Sequence, residues 1–258
     1  MEPIDRRRLL TLIGAAGGAG LLAACGDSSA LTTVFDSTTS APTTSTTTSS
    51  SAAAGSPIPT ETQGPYPADG SNGPNVLTDG AIVRQDLTTS FGSLSGTATG
   101  APTRILLTVV DASNGAPLPG AAVYLWHCTS TGRYSIYEET DQNYLRGVQV
   151  ADDAGRITFD TVFPGCYSGR WPHCHFEVFD DLATADAGRA ARKVSQLALP
   201  AADCRVVYAD PAYGNSSGNL ERLSLERDMV FADGWSDQLA TVSGSATDGW
   251  DVSLLVRV

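Results

Sequence analysis

The chain reads as an all-β protein, a β-sandwich of short strands with helix confined to short pieces. Three observations point there. Short runs of β-branched and apolar residues recur, clusters of Gly, Pro, Asn, Asp and Ser separate them, and hardly any stretch sustains a 3.6-residue apolar period.

The first segment precedes the fold. Residues 1–25, MEPIDRRRLLTLIGAAGGAGLLAAC, set a basic cluster Arg6, Arg7 and Arg8 before an apolar, glycine-rich run that ends in Leu22-Ala23-Ala24-Cys25. A membrane span needs about 20 predominantly apolar residues, so this shorter run is expected to be an export signal. The paired arginines look like a twin-arginine signal, and Leu-Ala-Ala-Cys resembles a lipoprotein box in which Cys25 becomes lipidated. The expected location is therefore outside the cytoplasm, lipid-anchored on the outer side of the bacterial cytoplasmic membrane or secreted, with membrane contact only through Cys25. An ordinary secretory signal is the alternative.

Residues 26–56 are mostly Ser, Thr, Ala and Gly with one Phe and almost no charge. Such a segment buries too little apolar surface to offset its ordering entropy, which predicts a disordered tether. Residues 57–258 then suffice for one domain with a substantial core. The formal charge of the 258-residue chain is -12, and no basic stripe interrupts it, which argues against nucleic acid.

Within the domain, Arg104–Asp111 is β-branched and apolar, and Ser113–Pro117 follows it as a turn. Pro119–Cys128 is the next strand-like run. Val123, Leu125 and His127 share one side of it and Tyr124, Trp126 and Cys128 the other, and because both sides are largely apolar this strand is expected to be central. Arg156–Val162 alternates between the turn Asp153-Ala154-Gly155 and Pro164-Gly165. Further strands are expected at His173–Phe179, Cys204–Tyr208 and Val252–Val258, and a short helix near Ala183–Arg192.

The chemistry begins at RWPHCHF, residues 170–176. The chain has three histidines, and two of them stand one residue apart. On an extended strand His173 and His175 point the same way and Cys174 the opposite way, so two imidazoles can grip one object. Tyr134, in Gly-Arg-Tyr-Ser, and Tyr167, in Pro-Gly-Cys-Tyr, stand at the ends of strands and are candidate phenolate ligands. A phenolate is a hard oxygen donor, and beside imidazoles it suits Fe(III) better than zinc or copper(I). His127, on a mostly apolar face, is expected to be a core residue. Cys128, Cys166, Cys174 and Cys204 form either two disulfides, in one of three pairings, or four buried thiols; without a CxxC spacing they make a poor metal site.

Five segments in order, GPYPADG, LPGAAVYLWHCTSTGRYS, DDAGRITFDTVFPGCY, GRWPHCHFEVF and VSQLALP, together resemble the intradiol ring-cleavage dioxygenases, the catechol and protocatechuate 3,4-dioxygenase group. The likeness runs from about Thr60 to Leu199. It implies a β-sandwich of the prealbumin-like, intradiol dioxygenase type and a non-haem Fe(III) site. The iron ligands implied are Tyr134, Tyr167, His173 and His175. Arg170 matches the family arginine that steadies negative charge on the substrate, Gln196 a glutamine beside the substrate, and Pro65 and Tyr66 the mouth of the pocket. The implied reaction opens a catecholic ring between its two hydroxylated carbons with O2, giving a muconate-type diacid. The spacing differs from the family's: Tyr167 to His173 is shorter and His175 to Gln196 longer.

Two other readings remain open from the residues alone. A non-catalytic, lipid-anchored sandwich could bind a partner or a glycan, with Trp235 and Trp250 as exposed aromatics. A His-based zinc or copper protein could use His173 and His175.

Overall fold

The computed structural model describes residues 52–187 and 190–258, which fall in the unit Thr48–Val258. The signal, Cys25 and nearly all of the expected tether lie outside the described residues. Among the described residues eight strands form two four-stranded sheets. They are β1 (Pro102–Val110), β2 (Ala122–Trp126), β3 (Arg146–Val150), β4 (Arg156–Val162), β5 (His173–Phe179), β6 (Lys193–Ala198), β7 (Thr241–Ser245) and β8 (Gly249–Arg257). One sheet has the order β4-β1-β8-β7 and the other β3-β2-β5-β6. Every pairing is antiparallel except that of β1 with β8.

Alternation along β1 shows why the sheets stack. Thr103, Ile105, Leu107 and Val109 are buried while Pro102 and Arg104 are exposed. The inward row meets Val123, Leu125, Cys174, Phe176 and Val178 of the second sheet in one apolar core. Each fully buried large side chain there contributes about 1.5–3 kcal/mol relative to exposure. As expected, β2 is central, paired with both β3 and β5, and its Tyr124 and Trp126, with Cys128 just beyond its end, turn to the second sheet's other face. That face is also covered, so every residue of β5 is buried.

The expected strand at Cys204–Tyr208 is a helix instead, α2 (Ala201–Val207). Pro200 precedes it and accepts from the Cys204 N–H, and the Tyr208 N–H donates to the Cys204 carbonyl. Cys204, Val207 and Tyr208, spaced i, i+3 and i+4, face the core while Val206 is 58% exposed. A short β-branched run does not distinguish the two periods; packing does. The helix expected near 183–192 is shorter, α1 (Leu182–Asp186), capped by the Asp181 carboxylate accepting from the Thr184 N–H. A third helix, α3 (Ser216–Leu220), and strands β3, β6 and β7 were not anticipated.

Cys128, Cys166, Cys174 and Cys204 are buried free thiols, which corrects the disulfide alternative. Trp250 is 6% exposed and packs edge-on against Phe163, so it is no surface aromatic. No helix among the described residues is long and apolar enough to cross a membrane.

The N-terminal segment joins the sandwich at Gly55, whose N–H donates to Ala112 O at 3.0 Å. It continues past Ile58, bonded to Arg257 O, and Glu61, bonded to Val194 O, and reaches the second sheet at Thr62, whose carbonyl accepts from Gln196 Nε2.

Candidate active site

Alternation on β5 aims His173, His175 and Glu177 away from the sandwich core, and Cys174, Phe176 and Val178 into it. The two imidazoles meet, with Nε2 of His173 and Nε2 of His175 3.0 Å apart. Two loops bring phenols to the same point. Tyr134 Oη lies 3.4 Å from His173 Nε2 and 3.2 Å from His175 Nε2, and Tyr167 Oη lies 3.4 Å from His173 Nε2. The four side chains named from the sequence therefore converge.

Glycines let them approach. Gly132 has φ +83°, and a Cβ there would stand 2.9 Å from the Cβ of Tyr167, so only glycine lets the Tyr134 loop pass the Tyr167 loop. Gly64 has φ +70°, and a Cβ would stand 3.1 Å from the His175 ring.

The tautomer of His173 follows from its neighbour. A carbonyl only accepts, so Nδ1–H of His173 donates to Trp171 O at 2.5 Å and its Nε2 carries the lone pair. His175 stacks flat on Trp126, centroids 4.9 Å apart and planes 5° apart, and its Nδ1 is a buried atom without a partner. Burial lowers the pKa of His173 to about 3, with Arg170 adding to it, and burial and His173 push His175 well below its ordinary value. Both are therefore neutral, the form that ligates. Burial raises Tyr134 well above 10 and Tyr167 to about 12, so the phenols ionise only if a cation stands beside them.

These facts test the fit of a metal ion. Two neutral imidazole nitrogens and two phenol oxygens, linked by four contacts of 3.0–3.4 Å, present converging lone pairs that a proton or a cation must reconcile. Among the described residues no cluster of three or more His, Cys, Asp or Glu side chains competes. The donor set of two imidazoles and two phenols fits ferric iron better than zinc or copper(I).

Arg170 is held beside this cluster. Its Nε donates to Asp228 Oδ2 at 3.0 Å, and its Nη2 to Gln196 Oε1 at 2.7 Å. Burial alone would raise the Asp228 carboxyl, but bonds from the Trp171 N–H, Arg170 and the Val230 N–H hold it below its ordinary value. Gln196 pairs with His175 across β5 and β6, despite the longer interval between them, because the extra residues loop out through α1. Its Nε2 donates to Thr62 O at 2.8 Å. Gln196 thus stands next to Arg170, joining it to the Thr62 segment.

A cavity of about 510 Å³ opens over the cluster, lined by Pro65, Tyr66, Tyr134, Tyr167, Arg170 and Met229 among others. Pro65 and Tyr66 stand at it as expected. The Tyr66 ring lies 4.8 Å from that of Tyr134. A groove of about 480 Å³ between Asp86, Arg104, Asp160 and Asp248 on the other sheet carries neither imidazole nor phenol. His127 is no part of the cluster: Nδ1–H donates to Cys128 O and Nε2 accepts from Thr161 Oγ1, both at 2.8 Å.

Sequence reasoning missed Arg146. It is fully buried and donates to Ser135 Oγ and O, to Tyr66 O and Pro67 O, and to Tyr124 Oη. It ties the loop of Tyr134 to the segment of Tyr66. Ala68, Ile136 and Leu145, the three non-glycine residues with left-handed φ among those described, each lie within a residue of one of these partners or of Arg146 itself. Such backbone costs about 1–3 kcal/mol per residue and persists where its surroundings over-determine it. Asp228 was missed too, since it lies 58 residues from Arg170. The arginine inside an apolar run, LRGVQV, was the one local signal.

The dioxygenase family model matches residues 72–201. Catechol 1,2-dioxygenase of Pseudomonas sp. (strain EST1001) is 41% identical over 54 residues, 20% of this chain and 18% of that protein. Chlorocatechol 1,2-dioxygenase of Pseudomonas sp. (strain P51) is 31% identical over 91 residues, 28% of this chain and 36% of that protein. The chain thus spans well under half the length of these curated relatives. Among solved structures, an intradiol ring-cleavage dioxygenase from Tetranychus urticae superposes with a TM-score of 0.61 at 23% identity, over 78% of this chain and 94% of that one, a likeness of fold.

Proposed function

This chain belongs to the intradiol ring-cleavage dioxygenase family, and from that premise we propose that it opens a catecholic ring between its hydroxylated carbons with O2, giving a muconate-type diacid. The observation that carries the reading is the convergence of two phenols and two neutral imidazoles beneath an open cavity. Tyr134, Tyr167, His173 and His175 would hold Fe(III). Ferric iron bound there supplies a Lewis acid that binds the diol and readies it for O2.

The chain's own groups do the rest. Tyr167 is part-exposed at the cavity, whereas Tyr134 is 1% exposed, so Tyr167 is the group suited to accept a proton from an arriving hydroxyl. Arg170 lines the cavity with its guanidinium anchored by Asp228 and Gln196, and so offers a preorganised positive charge against negative charge developing on the opening ring. Gln196 is a positioning residue, acting through Arg170. Trp126 stacked on His175 and the carbonyl of Trp171 on His173 fix both ring planes.

The test is spectroscopic and kinetic. Protein loaded with iron is expected to show a broad visible absorption from tyrosinate, and to consume O2 with catechol, protocatechuate or hydroxyquinol. A colourless iron-loaded protein, with Tyr134→Phe and Tyr167→Phe leaving iron content unchanged, defeats the site. We further propose export and lipid attachment through Cys25, on the basic cluster, apolar run and Leu-Ala-Ala-Cys box; release of Cys25→Ser from membranes tests it.

A further inference from the structure

The cavity wall carries one charge that the proposed reaction does not use. Glu138 lines the cavity and is exposed, and its position is set at both ends. Its Oε2 accepts the Tyr134 N–H at 2.8 Å, and its own N–H donates to Tyr134 O at 2.8 Å. The carboxylate is therefore tethered to the root of the same tyrosine whose phenol tip lies among the histidines. A ring that sets its hydroxyls beside that tip and lies along the tyrosyl side chain brings its far end toward Glu138.

The cations nearby are engaged elsewhere. Arg133 pairs through Nε with Glu139 at 2.9 Å and through Nη2 with the Glu138 backbone carbonyl. Arg170 is balanced by Asp228. The other wall residues, among them Thr62, Gly64, Pro65, Tyr66 and Met229, carry no formal charge. A carboxylate on the far end of a ring, set at Glu138, would meet a like charge, whereas an ammonium there would meet a counter-ion; Arg170, the one cation among the described residues that line the cavity, is tied to Asp228 and Gln196. The volume of about 510 Å³ leaves room for a ring with a side chain.

We propose that Glu138 is a specificity-determining residue: the site takes catechol rings whose far substituent is neutral or, preferentially, an alkylammonium chain, and discriminates against rings that bear a carboxylate. This rests on the diol reading above. The probes are catechol, dopamine and protocatechuate, neutral, cationic and anionic, given to the iron-loaded full chain at fixed ionic strength. Dissociation constants come from the shift in visible absorption and kcat/KM from O2 uptake.

Dopamine is expected to bind roughly 10-fold more tightly than protocatechuate, the size of one exposed attraction and one exposed repulsion combined. Glu138→Gln keeps an acceptor for the Tyr134 N–H and is expected to bring the two within about 2-fold. Asp248→Asn, which changes net charge equally but lies in the other groove, is expected to leave the ratio alone. Equal binding of dopamine and protocatechuate to the unmodified chain overturns the inference. So does a ratio that survives Glu138→Gln, or one that Asp248→Asn lowers as much. If no diol perturbs the spectrum or is consumed, the diol reading itself fails and takes this one with it; if diols bind without turnover, the binding ratio still decides Glu138.

Discussion

The two faces of β5 are built from neighbouring residues and do opposite work. Cys174, Phe176 and Val178 enter the sandwich core, where shape and apolar area matter and no hydrogen-bond partner is needed. His173, His175 and Glu177 enter the layer on the sheet's other face, where each ring and carboxylate is oriented by a group outside the strand: Trp171 O, the Trp126 ring and Gln63. The pleat alone separates these environments. One strand thus carries stability on one side and the proposed site on the other, and substitutions on it should separate the two properties.

The largest effect is expected on the reactive side. Tyr134→Phe removes a donor from the four-atom cluster, and since even residues that merely orient a ligand cost about 10–100-fold, loss of a donor is expected to lower ring-cleavage kcat/KM by at least about 100-fold. Melting temperature should change little, because the ring stays packed against Tyr66. A variant that keeps visible absorption and turnover breaks the division. The counterpart on the packed side is Phe176→Ala, expected to lose about 3–5 kcal/mol in denaturant titration while the folded fraction keeps its colour.

Asp228 couples the two properties, because it is a buried partner of Arg170 at the cavity. Asp228→Asn leaves the Arg170 charge buried without its partner and is expected to cost about 3–5 kcal/mol, with lower kcat at unchanged iron content. Its pH dependence has a definite sign. The folded carboxyl is held below its unfolded value, so between the two values the unfolded chain binds more protons and stability rises with pH. The contribution is complete above the unfolded pKa of about 4 and is lost as pH falls through the folded value. Melting curves from pH 6 to pH 3 should show a shallower acid decline for Asp228→Asn.

Gly64→Ala comes next, with a Cβ against the His175 ring and a left-handed φ to support; about 1–2 kcal/mol is the expected loss. The smallest effect is that of reductant. With four buried free thiols, melting temperature is expected to be the same with and without dithiothreitol. A drop on reduction would reinstate a disulfide.

Much of the site was legible because its signals are local. Alternation put His173 and His175 on one face without any knowledge of the partner strands, and a phenol at each of two strand ends narrowed the ion. Gln196 was found, but only the register of β6 against β5 reveals that it reaches Arg170 and Thr62. Asp228, Arg146 and Glu138 escaped because what defines them is a partner brought close by folding.

The amino-acid order by itself determined a strand-rich chain and the two faces of β2 and β5, consequences of a two-residue repeat, while the four converging donors were singled out by their side-chain chemistry together with the resemblance to the dioxygenase family. Tertiary structure alone decided that Cys204–Tyr208 coils into a helix, that the thiols stay apart, and that an arginine beside the histidines is balanced by an aspartate 58 residues away. Those outcomes depend on which surfaces are buried against which, a long-range property that no local pattern encodes.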